Sequence, residues 1–145
     1  IVVNKWDLVK KETNTMKEFA LEMSIQFKSL AHYPVLFISA KTKQRISSIL
    51  KKAHEIYELR QTKIPTSELN KFLQKALIMQ SPPATKGKAI NLKYMTQVNS
   101  APHLFVIFTN YPKLIPSSYK RFIENQLREK YDLEGIPIRI SFRKK

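Results

Sequence analysis

The sequence predicts an α/β chain in two parts: a stretch of parallel sheet interleaved with helices, then an α+β module of order α-β-β-α-β. Three observations carry that expectation. Short apolar runs, "IVV", "PVLFIS" and "HLFVIF", are too brief for helices and read as buried strands. Between them lie longer segments whose apolar residues recur every three or four positions, the spacing that puts them on one face of a helix. Clusters of proline and small polar residues, "RQTKIPTS" and "SPPATKGK", punctuate the pattern.

In chain order, residues 1–3 read as the end of a buried strand. "TMKEFALEMSIQFKSL" places Met16, Phe19, Ala20, Met23 and Phe27 on one helical face, with Leu30 extending it. "PVLFIS" follows as a parallel strand, and a second helix carries Ile46, Ile49, Leu50, Ala53, Ile56 and Tyr57 together. Strand, helix, strand, helix is the parallel α/β alternation. The pattern changes near Gln61–Ile64, which divides the chain into residues 1–60 and 61–145. Pro65 with Thr66 or Ser67 opens a helix, Glu68 suits its positive end, and Leu69, Phe72, Leu73, Ala76 and Leu77 face inward. "AINLKYMTQV" and "HLFVIFTN" are strands, the first with Ile90, Leu92 and Tyr94 on one side, so that Tyr94 and Phe105 read first as core aromatics, with stacking on nucleic-acid bases as the second reading. A helix with Tyr119, Phe122, Ile123 and Leu127 inward and an alternating strand, Ile136, Ile138, Ile140, Phe142, close the chain.

Composition narrows the function. The absence of cysteine excludes disulfides, thiolate metal sites and cysteine nucleophiles, and the three histidines, His32, His54 and His103, fit no ligand spacing. No apolar run approaches the length that crosses a bilayer and no signal peptide is evident, so a cytoplasmic protein without a membrane partner is expected. The 26 Lys and Arg against 11 Asp and Glu are unevenly spread. Up to Arg60 there are 11 basic and 6 acidic residues; from Gln61 onward, 15 and 5. A basic field of that kind attracts polyanions, with RNA, DNA and anionic membrane as the candidates.

The first polar residues are Asn4-Lys5-Trp6-Asp7, directly after a strand, and "FISAK" places Ser39, Ala40 and Lys41 after the next strand. Asn-Lys-x-Asp resembles the base-reading motif of P-loop GTPases, and Ser-Ala-Lys the second base loop. Guanine presents a ring N–H and an exocyclic amino group side by side, and the Asp7 carboxylate can accept both. Adenine lacks that donor pair and would leave the carboxylate unpaired, at a cost of about 1–3 kcal/mol. Lys5 would lay its stem over the base, Asn4 would brace the loop, and the Ala40 N–H would reach the guanine O6. The loops stand at the carboxyl ends of strands, where α/β folds bind nucleotides. The chain has only Gly87 and Gly135 and no glycine-rich phosphate loop. It reads as the base-reading tail of a GTPase domain, without the parts that position the phosphates and magnesium.

A GTPase tail followed by a basic α-β-β-α-β module resembles the Der (EngA) family of bacterial ribosome-assembly GTPases. The matching stretches are "NKWDLV", "PVLFISA", "IYELRQTKIPTSELNKFLQKAL", "INLKYMTQV", "FTNYP" and "SYKRFIENQLREKYDLEGIPIRISFR", nearly the whole chain. The resemblance implies that residues 1–60 end the second of two GTPase domains and that 61–145 form a KH-like domain. It implies GTP or GDP and magnesium as cofactors of the parent protein and GTP hydrolysis as its activity. The large ribosomal subunit and its rRNA are the implied partners, with upstream GTPase domains of the same chain against the KH-like domain. It assigns guanine reading to Asn4, Lys5, Asp7, Ser39, Ala40 and Lys41, and family members commonly carry glycine where this chain has Lys43. The fragment alone is expected to be inactive and to hold no nucleotide tightly. KH modules that clamp RNA use a GxxG loop, and none is present. Lys86, Lys88, Lys93, Arg139, Arg143, Lys144 and Lys145 are therefore the candidate rRNA contacts. The charge leaves a second reading open, a self-standing basic RNA-binding module; the missing GxxG leaves a third, a regulatory interaction domain.

Overall fold

A computed structural model of the chain describes residues 1–10, 14–27, 30–100 and 102–144. They divide into two compact units, Ile1–Glu58 and Leu59–Lys145.

In the first unit, strand β1 (Val2–Val3) pairs in parallel with β2 (Leu36–Phe37), Val2 opposite Leu36 and Val3 opposite Phe37. Helix α1 (Thr15–Gln26) crosses between them and α2 (Ile46–Gln61) follows, the predicted strand-helix alternation. A single 3-10 turn, Trp6–Leu8, begins just beyond β1. Its Trp6 is buried, with the Phe19 ring edge-on at 5.8 Å and the Phe37 ring at 4.4 Å. The apolar stripes of the two helices lie largely at the surface. Met16, Phe19, Phe27, Leu30, Leu50 and Tyr57 are all exposed, and neither helix has a fully buried residue. Two strands of two residues present too little sheet to cover two helices.

The second unit has the predicted order. Helix α3 (Thr66–Met79), strands β3 (Leu92–Ser100) and β4 (His103–Thr109), helix α4 (Ser117–Tyr131) and strand β5 (Ile138–Lys144) succeed one another. The sheet order is β3-β4-β5, antiparallel between β3 and β4 and parallel between β4 and β5. Leu69, Phe72, Leu73 and Ala76 of α3 are buried, as are Tyr119, Ile123 and Leu127 of α4 and Met95, Phe105 and Ile107 of the sheet. This is the protein's main hydrophobic core.

One strand face differs from expectation. Ile90 and Leu92 are buried, but a register shift between Leu92 and Tyr94 turns Tyr94 away from them. Its ring stacks on Phe108 at 4.4 Å instead, and Met95 takes the core position. A bulge inserts one residue and so reverses the alternation beyond it.

The core also holds polar groups. Gln97 accepts a hydrogen bond from the Ile64 N–H at 2.8 Å through Oε1, and its Nε2 lies 3.0 Å from Nδ1 of the fully buried His103. Burial holds the His103 imidazole below its ordinary pKa. The Tyr119 hydroxyl donates to the Gln80 carbonyl at 2.9 Å, and burial pushes its pKa up to about 12. Helix α4 ends where Asp132 turns left-handed at φ 47°, and Arg128 donates to the carbonyls of Leu133 and Ile136.

Candidate functional site

The Asn4–Asp7 and Ser39–Lys41 loops meet in the first unit. β1 and β2 are adjacent and parallel, so the segments leaving them emerge side by side. The Trp6 N–H donates to the Ile38 carbonyl at 3.0 Å, tying the two exits together. Lys5 turns left-handed, φ 62°, which starts the 3-10 turn carrying Asp7. The fully buried Ser39 donates its hydroxyl to the Asp7 carboxylate and accepts from the Thr42 N–H at 3.1 Å. Asn4 Oδ1 accepts from two backbone amides, Lys5 at 2.7 Å and Ala40 at 3.0 Å. Asn4, Asp7, Ser39 and Ala40 thus form one hydrogen-bonded group across the two loops. The Ala40 N–H, expected to reach a guanine oxygen, is directed at Asn4 Oδ1, and a base oxygen would share or take over that donor. Lys5 and Lys41 are exposed at the margins.

Beyond Ala40 the chain closes a tight turn, with the Ser39 N–H donating to the Gln44 carbonyl at 3.1 Å. Lys43, at φ 60°, and Arg45, at φ 58°, are both left-handed. The glycine that the resemblance implies at position 43 would adopt that conformation without strain.

This group fits the base of a guanine nucleotide. A carboxylate fixed by a buried hydroxyl can accept paired donors, and an amide donor stands on the neighbouring loop. It offers nothing comparable to magnesium: among the described residues, no three His, Asp or Glu side chains are grouped to hold a metal ion. Also among the described residues, no helix is long and apolar enough to cross a membrane.

The basic candidates of the second unit separate into two places. β3 begins at the end of the sheet where β4 and β5 finish, since Leu92 lies opposite Thr109, and Thr109 opposite Lys144. Lys93, Arg143 and Lys144 therefore stand at that end. Asn110 draws two further segments to it: its Oδ1 accepts from the Asn91 N–H and its Nδ2 donates to the Ala89 carbonyl, both at 2.9 Å. That brings up the turn Thr85–Lys88, whose Lys88 ammonium lies 5.0 Å from the centre of the Tyr111 ring. Lys86 and Lys88 project from this turn, and Lys113, which sequence reasoning did not single out, follows in the 3-10 turn Pro112–Leu114. Arg139, opposite Leu104, lies at the other end of the sheet, and Lys145 is outside the described residues. Lys113 carried no local signal, because only the Asn110 bridge relates it to residues some twenty positions earlier.

Comparison with known proteins agrees with this architecture. The family model described as the KH-domain-like C-terminal domain of EngA bacterial GTPase enzymes matches residues 63–143. GTPase Der of Bacteroides fragilis is 46% identical over 147 residues, covering 100% of this chain and 34% of that relative. GTPase Der of Fusobacterium nucleatum is 46% identical over 146 residues, and that of Brevibacillus brevis 42% over 145; each alignment covers 100% of this chain and 33% of the relative. The chain spans about a third of the length of these curated relatives. With its second unit matched almost throughout and its elements in the expected order, the chain belongs to the EngA family of bacterial GTPases and carries that family's KH-domain-like region.

Proposed function

We propose that the chain acts as the C-terminal part of a GTP-binding protein that works in assembly of the large ribosomal subunit. Residues 1–60 supply the guanine-reading end of a GTPase domain, and residues 61–145 contact rRNA or neighbouring domains of the parent protein in the cytoplasm. The observation that carries this reading is the hydrogen-bonded group of Asn4, Asp7, Ser39 and Ala40. Asp7 accepts the ring N–H and amino group of guanine, Ser39 holds the carboxylate in position, and Lys5 covers the base. GTP or GDP with magnesium is the cofactor of the parent; hydrolysis depends on a phosphate loop, which these residues do not include. The exposed apolar side chains Val2, Phe19, Leu21, Ile25 and Phe27 fit a first unit that packs against the rest of a GTPase domain.

The test is base preference in the parent protein. Asp7→Asn should weaken GTP binding by about tenfold or more and improve binding of xanthosine triphosphate, whose ring carries an oxygen where guanine has its amino group. Unchanged discrimination between the two would overturn the role given to Asp7.

A further inference from the structure

We propose that the end of the sheet organised by Asn110 is an RNA dock that grips the phosphodiester backbone through lysine and arginine side chains, independently of base sequence. The inference rests on the proposed rRNA role and locates it. Three segments far apart in sequence converge there: residues 81–93, 108–116 and 142–144. Together they carry Lys86, Lys88, Lys93, Lys113, Arg143 and Lys144, and they contain no Asp or Glu. All six cations are exposed, and among the described residues none of the six is in an ion pair. The other ion-forming surface of this unit is different in kind: on α3 and α4, Lys71 pairs with Glu68 and Arg128 with Glu124. An acid-free group of unpaired cations is complementary to a polyanion and has no neighbouring carboxylate to repel it.

The backbone holds these cations in place. Thr85 and Lys88 exchange two backbone hydrogen bonds of 3.1 Å, with Lys86 at φ 53° and Gly87 at φ 69° between them. Two consecutive left-handed residues make the tight hairpin turn that favours glycine at its second position. A Cβ at Gly87 would meet nothing within 4 Å, so this glycine serves the turn's conformation and not a close backbone approach. The turn thus differs from a clamp in which small residues admit a phosphate to the main chain. Here side-chain cations on a fixed turn face the ligand, with the Lys88 ammonium steadied over the exposed Tyr111 ring. Side-chain contacts to phosphate position a nucleic acid without reading it, so binding is steep in salt and tolerant of sequence.

The experiment measures binding of a labelled RNA stem-loop to the chain across a salt series, by fluorescence anisotropy. It compares the triple variant Lys86→Ala, Lys88→Ala, Lys113→Ala with a control triple of equal charge change, Lys63→Ala, Lys75→Ala, Lys130→Ala. Thermal melting of each confirms that it is folded. The dock triple should lower affinity by about tenfold or more and reduce the slope of log affinity against log salt by about three, one for each phosphate that a lysine no longer neutralises. The control triple should change the slope by less than about one, and a scrambled stem-loop should bind the original chain equally well. If the unaltered chain binds no RNA, the proposed rRNA role itself fails. If it binds and the two triples weaken it equally, that role stands and this location is overturned. Equally tight, dock-dependent binding to anionic phospholipid vesicles would overturn RNA as the occupant.

Discussion

Lys43 shows how one residue can oppose the local backbone it occupies. At φ 60° its Cβ crowds the neighbouring carbonyl, a cost of about 1–2 kcal/mol for an L-residue, while glycine meets only the greater entropy of its unfolded state. The turn nevertheless forms, because the Ser39–Gln44 backbone hydrogen bond and the buried Ser39 side chain on its other end hold it closed. Lys43→Gly should therefore stabilise the first unit by about 0.5–1 kcal/mol, read as a shift in the midpoint of urea unfolding followed by Trp6 fluorescence. A lower midpoint would show that the left-handed strain is absent. Asp7 and Ser39 are the opposite case. Their pairing is legible from two short motifs, because each motif follows a strand and the strands are parallel neighbours.

At the scale of elements, β3 is an edge strand, and its outer edge is closed by a side chain. Asn70 of α3 accepts from the Met95 N–H at 3.0 Å and donates to the Met95 carbonyl at 3.1 Å, so a side-chain amide imitates one rung of a neighbouring strand. The same amide nitrogen reaches the Thr66 carbonyl at 2.7 Å. Unpaired edges invite pairing with other chains, and this one is blocked at its midpoint by its own helix. Asn70→Ala should destabilise the second unit by about 1–3 kcal/mol, since two backbone groups lose their partner. Chemical denaturation measures the loss, and light scattering should show increased self-association of the variant. Unaltered stability and scattering would mean that water replaces the amide without cost. Asn70 carried no sequence signal: it lies in an amphipathic helix, where an asparagine reads as a solvent-facing residue, and only the packing of α3 along β3 gives it a partner. The bulge before Tyr94 was equally hidden, since alternation extrapolated through Leu92 predicts the wrong face.

For the whole molecule, stability is concentrated in the second unit. Among the described residues, the first unit contributes only Trp6, Phe37 and Ile38 to the buried apolar set, and the rest come from Ile64 onward. Two buried titratable groups in that core bound its pH range. His103 has a lowered pKa through burial, so as pH falls the unfolded state takes up the proton first. Its contribution is therefore complete above about 6.5, the unfolded value, and is lost as pH falls through the folded value. Tyr119, raised to about 12 by burial, works in the other direction: its contribution is complete below the unfolded pKa of about 10 and is lost as pH rises toward 12. Unfolding free energy of the chain should thus form a plateau between these limits. His103→Asn should flatten the acid limb and Tyr119→Phe the alkaline limb. A variant that keeps the full slope on its own side would show that other groups set that limit.

Periodicity, short motifs and charge are properties of neighbouring residues. The order of elements, the two-part division as an expectation, the two short motifs that follow β1 and β2 and the basic excess after residue 60 could therefore be read from the sequence, as could the family resemblance. What depends on distant segments meeting was settled by tertiary structure. It directed the Ala40 amide to Asn4, left the faces of α1 and α2 at the surface, and turned Tyr94 out of the core by a bulge. It set Asn70 against the edge of β3 and separated Arg139 from the other cations. It also brought Lys113 to Lys86 and Lys88 through one asparagine. Hydrogen bonds between segments about twenty or more residues apart leave no trace in local spacing, which is why the individual basic residues were legible and their grouping was not.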